Sequence, residues 1–265
     1  MLFHKRFIRL REAEREHMRA AGRFNARLMD LVRENAVPGV TTRELDRLVY
    51  EYTLDHGHLP AQLGYQGFPA CTCISVNDVV CHGIPGDYIL KEGDIFNLDA
   101  TTVVDGWHGD SSETFLVGRV SPMAQLVTQA AFDAMWAAIE SLTPGCPIAN
   151  IGKAVVATAR PYGFGVVRDY VGHGVGRNFH QEPSIPHFPQ RQARFEKLDP
   201  GVCFTVEPML NTGSRITVTD KRDGWTVRTK DGGLSAQFEH TVLMTEDGPE
   251  ILTTTEHGPQ RGRQF

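Results

Sequence analysis

Apolar residues fall at helical spacing twice in this chain, each time behind the same punctuation. After Val37-Pro38-Gly39, the residues Leu45, Leu48, Val49 and Tyr52 share one helix face until Gly57 stops the pattern. Thr41, followed by Glu44 three positions on, supplies a capping box at the start of that helix. After Thr143-Pro144-Gly145, the residues Ile148, Ile151, Val155, Val156 and Ala159 repeat the pattern until Gly163. Each Pro-Gly pair also closes a helical stretch before it. Pro38 and Pro144 lie 106 residues apart, and so do Gly57 and Gly163. A helix–helix–sheet unit present twice accounts for both coincidences.

The segments between the helices are short, apolar and strand-like, and several carry one charged or metal-binding residue. They are Phe96-Asn97-Leu98-Asp99-Ala100, Gly109-Asp110, Gly172-His173-Gly174, Phe204-Thr205-Val206-Glu207-Pro208 and Gln237-Phe238-Glu239-His240-Thr241. Asp105-Gly106 is a strong two-residue hairpin signal. It sets Asp99 and Asp110 across from, or diagonal to, each other on paired strands. Asp99 and Glu207 lie 108 residues apart, nearly the helical offset, each on a strand entering a hairpin. Asp110 and Glu239 then match on the return strands, with residues 211–231 lengthening the second hairpin. The expected architecture is α+β, with a mostly antiparallel sheet and two pseudo-symmetric halves, about 10–120 and 121–253, in one domain spanning 1–265.

Burying one carboxylate is costly unless it is paired, hydrogen-bonded or metal-bound. Four of them, Asp99, Asp110, Glu207 and Glu239, together with His173, make a candidate binuclear metal site in which divalent cations relieve the repulsion. The donor set is rich in oxygen and lacks thiolate, which suits Mn(II), Fe(II) or Co(II) better than a structural zinc site. Two such cations about 3.5–4 Å apart share a water, lower its pKa towards neutrality and polarise a carbonyl. His173 and His180 stand seven apart, so an extended segment would put their rings on opposite sides, with the glycines of Gly172-His173-Gly174-Val175-Gly176 letting the backbone approach the metals. His108 is expected to support the site rather than bind metal, His240 to face away from it, and His56, His58, His187 and His257 to lie at the surface.

Composition narrows the remaining choices. The 265 residues are 41% apolar and 22% charged, with a net charge of −5, which gives no footprint for specific nucleic-acid binding. The basic cluster of His4, Lys5, Arg6, Arg9 and Arg11 is followed by Glu12, Glu14 and Glu16. It reads as the solvated start of a helix, with a transient ribosome contact as the alternative. Five scattered cysteines, Cys71, Cys73, Cys81, Cys146 and Cys203, make no disulfide framework and point to a reducing compartment. No apolar run fits a signal peptide or approaches the roughly 20 residues of a membrane span, so a cytoplasmic monomer is expected.

The runs Val80-Cys81-His82-Gly83-Ile84-Pro85, Gly93-Asp94-Ile95-Phe96-Asn97-Leu98-Asp99, Asp105-Gly106-Trp107-His108-Gly109-Asp110, Gly172-His173-Gly174-Val175-Gly176-Arg177 and Thr205-Val206-Glu207-Pro208-Met209 stand in a recognisable order. Together they resemble the type I, bacterial-type methionine aminopeptidases of the pita-bread fold, from about Ala20 to about Thr253. The resemblance implies that Asp99, Asp110, His173, Glu207 and Glu239 ligate two divalent ions (Co, Mn, Fe or Zn). It implies that His82 and His180 contact substrate, with His180 at the peptide carbonyl. Glu207 would also shuttle a proton to the leaving amine. Tyr65, Phe68, Cys73, Phe179 and Trp225 would form the pocket for the methionine side chain, where sulfur–aromatic contacts add about 0.3–1.5 kcal/mol.

Only 27 residues separate His180 from Glu207, which leaves no room for the type II insertion. Gln66 and Phe68 stand where many type I members have His and Tyr, and Gln62 where a cysteine is common. The implied activity is hydrolytic removal of initiator methionine from nascent proteins and peptides with a small second residue. The alternatives are a peptidase of the same fold that cleaves beside proline, whose longer relatives carry an extra N-terminal domain, and a non-catalytic peptide-binding scaffold. The scaffold reading normally requires damaged ligands, and all five are intact here.

Overall fold

The computed structural model describes residues 7–265; His4, Lys5 and Arg6 of the basic cluster lie outside this range. Helix α1 spans Glu12–Asn35 and buries Met18, Ala21, Phe24, Leu28 and Val32 along one stripe. Its first turn is closed by the Glu14 carboxylate, which accepts from the Arg11 backbone N–H at 2.8 Å. Arg11 also donates twice through its guanidinium to Glu14, and Arg9 pairs with Asp199. The described part of the basic cluster is therefore engaged within the chain. Helix α2, Thr42–Asp55, carries the expected capping box: Thr41 Oγ1 accepts from Glu44 N at 3.1 Å, and the Glu44 carboxylate accepts from Thr41 N at 2.7 Å.

Nine strands form the main sheet. They are β1 Leu59–Pro60, β2 Thr72–Val76, β3 Ile95–Val104, β4 Trp107–Leu116, β5 Gly172–Gly174, β6 Gln181–Ile185, β7 Cys203–Val206, β8 Glu239–Met244 and β9 Pro249–Ile251. The order β1-β3-β4-β8-β7-β5-β6 runs across it, with β2 beside β3 and β9 beside β8, and the pairings are antiparallel. Helix α3, Pro122–Glu140, is capped by Ser121, and α4 spans Ala149–Ala159. The buried core divides accordingly. Leu28, Leu45, Leu98 and Trp107 pack with α1 and α2, while Phe132, Met135, Ile151, Phe204 and Val242 pack with α3 and α4. This is the expected α+β pita-bread arrangement, a curled antiparallel sheet backed by two helix pairs.

The repeated punctuation has one conformational cause. Gly39, Gly57, Gly145 and Gly163 all have positive φ, between 70° and 98°, so each ends or redirects a helix where a side chain would be strained. Asp105 and Gly106 have φ of 51° and 80° and join β3 to β4 in the turn that suits a two-residue hairpin. The resulting register runs unbroken from Ile95↔Leu116 to Val104↔Trp107.

The second hairpin is longer, for a visible reason. Thr205↔Thr241 and Val206↔His240 pair first, and Met209–Asn211 continues against Ser235–Gln237. Inside the loop, Thr217–Thr219 and Val227–Thr229 make a small hairpin of their own that adds to the strand Val79–Cys81. All five cysteines are buried and free.

Candidate metal centre and substrate cleft

Strand register brings the acidic side chains together. Asp99 on β3 pairs with Ser112 on β4, and Ser112 pairs in turn with Glu239 on β8. Asp110 pairs with Thr101, so it sits diagonal to Asp99, two residues along on the same face. Glu207 follows the end of β7 beside β8, and His173 stands in β5 on the far side of β7. Donor atoms of Asp110, His173 and Glu239 lie within 4.8 Å of one another. His173 Nε2 is 3.5 Å from Asp110 Oδ2 and 3.7 Å from Glu207 Oε1. All five residues line one cleft of about 300 Å³.

The carboxylates are oriented by neutral donors. Thr101 Oγ1 donates to Asp110 at 2.7 Å, and Thr205 Oγ1 to Glu207 at 2.6 Å. Gln237 Nε2 donates to Glu207 at 3.3 Å, and Gln62 Nε2 to Asp99 at 3.0 Å. No Lys or Arg is among the described residues lining the cleft. Burial therefore dominates the proton affinities. It pushes the Asp99 carboxyl up to about 7 and that of Glu207 up to about 8, and raises Asp110 and Glu239 well above the usual carboxylate range, with the neighbouring acids adding to the rise.

The imidazoles move the other way. Burial, helped by His180, lowers His173 to about 3, and burial with His82 and His108 nearby lowers His180 to about 4. His173 Nδ1 sits 3.0 Å from the Gly174 carbonyl, which can only accept, so Nδ1 carries the proton and Nε2 keeps its lone pair towards the acids. A cluster of four buried carboxylates and one neutral imidazole, with no basic side chain among them, is a donor set that divalent cations fit.

The seven residues anticipated at the substrate also line this cleft: Tyr65, Phe68, Cys73, His82, Phe179, His180 and Trp225. His82 holds φ at 54°, a left-handed backbone that a non-glycine residue adopts at a cost, and its ring meets Tyr170 and Trp225 edge-on. Phe68 packs edge-on against Trp225. The Tyr65 hydroxyl lies 2.9 Å from His180 Nδ1. Trp225 arrives on the small hairpin that lengthens the second half.

Three expectations change. His173 and His180 do not diverge: their ring centroids are 4.1 Å apart, because the chain turns between β5 and β6 and folds the second ring back over the first. The glycines flanking His173 admit close strand contact. A Cβ on Gly172 would meet the Thr205 carbonyl oxygen at 2.7 Å, and one on Gly174 the Glu182 oxygen at 2.3 Å. His187 is not at the surface. It is 2% exposed, and its Nε2 accepts from the Glu207 backbone N–H at 3.0 Å, so it holds the chain that carries that acid. His58 is half-buried against Phe24, while His56 and His257 are exposed as expected.

His108 donates through Nδ1 to the Gly176 carbonyl and stacks on Phe179 without lining the cleft, and His240 turns to Thr253 and Trp136. Tyr170 and Val171, which the motifs do not include, also line the cleft, as does Met209, which they include without a role. Val171 stands two residues before His173 and Met209 two after Glu207, so alternation along those strands marks both. Nothing local marked Tyr170.

The family model of metallopeptidase family M24 matches residues 16–246. A methionine aminopeptidase from Rickettsia prowazekii is 47% identical over 236 residues, covering 89% of this chain and 91% of the relative. One from Escherichia coli K12 is 45% identical over 240 residues, 90% of each chain. The crystal structure of methionine aminopeptidase from Rickettsia prowazekii superposes with a TM-score of 0.91 at 44% identity, covering 94% of this chain and all of that one. With the acid cluster and the pita-bread sheet, these matches show that the chain belongs to metallopeptidase family M24, among its methionine aminopeptidases.

Proposed function

We propose that this chain is a single catalytic domain that hydrolytically removes N-terminal methionine from nascent proteins and peptides with a small second residue. The carrying observation is the cluster of four buried carboxylates and one neutral imidazole, without a basic partner, in a cleft of about 300 Å³. Asp99, Asp110, His173, Glu207 and Glu239 hold two divalent cations of the Mn, Fe, Co or Zn kind. When bound, such ions supply Lewis acidity and a water of lowered pKa.

The chain's own residues do the rest. In the tautomer with the Tyr65 hydroxyl donating to His180 Nδ1, the Nε2–H is left to donate to the scissile carbonyl oxygen as negative charge grows there. His82, fixed by its left-handed backbone, faces the amide nitrogen side. Glu207, anchored by Thr205 and Gln237, carries the proton to the leaving amine. Phe68, Trp225, Cys73, Tyr65 and Phe179 enclose the methionine side chain, and their aromatic faces suit its thioether. No helix among the described residues is long and apolar enough to cross a membrane. A cytoplasmic monomer meeting chain N-termini as they emerge is the setting that agrees with the reduced cysteines.

The deciding test is cleavage of Met-Ala-Ser, Leu-Ala-Ser and Ala-Pro-Ser by metal-stripped protein, resupplied in turn with Mn, Fe, Co and Zn. Release of methionine alone, restored by metal, is expected. Preference for the proline peptide would replace this reading with a neighbouring peptidase activity. Metal binding without turnover of any peptide would make the chain a scaffold.

A further inference from the structure

Gln62 is a buried amide that stands outside the five ordered runs. It stands 5% exposed at the end of the run that continues β1 along β3, where Pro60 pairs with Thr102 and Ala61 N donates to the Thr101 carbonyl at 2.8 Å. The Thr101 backbone N–H donates to Gln62 Oε1 at 3.4 Å. That contact fixes which end of the amide is which, since an N–H must meet an oxygen. The other end, Nε2, therefore points along the strand to Asp99 Oδ1 at 3.0 Å and to Cys73 Sγ at 3.7 Å. The reverse orientation would press a carbonyl oxygen against a carboxylate.

The other oriented acids in the cluster take hydrogen bonds from Thr101, Thr205 and Gln237, all on sheet strands or beside them. Asp99 takes its side-chain hydrogen bond from Gln62, the one such donor to it among the described residues. We propose that Gln62 is a positioning residue for Asp99. Its amide, clamped to the backbone of β3 at one end, holds the Asp99 carboxylate in the orientation that meets the metal ions at the other. A group that fixes a ligating carboxylate in this way is commonly worth about 10–100-fold in metal affinity.

This inference rests on the metalloaminopeptidase reading above, and the experiment separates the two. Mn(II) is titrated calorimetrically into metal-stripped wild type and Gln62→Met, which keeps the side-chain length and removes both amide groups. Circular dichroism and thermal melting check the fold. The variant is expected to bind Mn(II) about 10–100-fold more weakly. The Mn(II) concentration giving half-maximal turnover of Met-Ala-Ser should rise in parallel.

A lowered melting temperature with wild-type Mn(II) affinity would make Gln62 a packing residue and overturn the proposal. Wild type that binds no divalent ion would overturn the functional reading as well. Should Gln62→Met fail to melt cooperatively, Gln62→Ala, which removes the amide beyond Cβ, goes through the same titration with the same expectation.

Discussion

Strand β4 buries carboxylates on both of its faces and treats them in opposite ways. Asp110 points into the cleft with Asp99, Glu207 and Glu239, where the described lining contains no basic side chain. Glu113, three residues on and therefore on the other face, is 5% exposed and receives two hydrogen bonds from Arg33 of α1, at 2.8 and 2.6 Å. Burial raises the Glu113 carboxyl too, while Arg33 opposes the rise. A buried acid with its own guanidinium is a structural joint, here between α1 and the sheet. Buried acids without one make a site that is complete only with cations from outside, and that absence of a partner is what marks function.

The comparison is broken first by removing one acid of the cleft. Asp110→Asn should lower kcat/KM for Met-Ala-Ser by about three powers of ten or more, since a bound metal supplies several kcal/mol and about 1.4 kcal/mol is tenfold. The metal-free variant should melt at or above the wild-type temperature, because Asn removes the cost of burying an acid among three others. Retained activity, or a destabilised metal-free protein, would put Asp110 in the same class as Glu113.

Arg33→Met tests the other face. It strands Glu113 and should destabilise the protein by about 2–3 kcal/mol, below the usual cost of splitting a buried pair because Arg33 is part-exposed. Peptide turnover at saturating metal should be unchanged. Denaturant unfolding reads the first quantity and steady-state kinetics the second; a stable, inactive variant would contradict the distinction.

The smallest effect is in pH. Asp99 and Glu207, at about 7 and 8 in the folded metal-free protein, hold protons that the unfolded chain has released. Their contribution is complete below the ordinary carboxylate range and is lost as pH rises through those values. The buried histidines work in reverse but only between their lowered values, about 3 to 4, and 6.5. From pH 6.5 to 8 the acids act alone. Metal-free protein should therefore lose stability across that window, at up to about 1.4 kcal/mol per pH unit for each proton released, and bound Mn(II) should flatten the curve. A flat curve without metal would mean that the cleft is already compensated.

Much of this was legible locally. Thr41 and Glu44 cap α2 as their spacing demanded, because a capping box involves only four consecutive residues. Asp105-Gly106 closes β3 onto β4, and that turn alone places Asp110 diagonal to Asp99. The ordered motifs pointed to the family and to the acids that share the cleft.

What escaped has a common cause. The facing of His180 towards His173 depends on a turn whose direction no two-residue period encodes. His187 is buried because the backbone N–H of Glu207, twenty residues away, needs an acceptor. Trp225 and Tyr170 reach His82 from separate segments of the chain. Gln62, which stands where a cysteine is common, donates a hydrogen bond to Asp99 from 37 positions away. Periodicity, caps and turns report interactions within a few residues, so the chain's own order was enough for its elements, its family and the identity of its acids. Which side chains meet across the cleft was settled by long-range packing, where a contact is chosen by burial and unsatisfied hydrogen-bonding groups rather than by sequence neighbours.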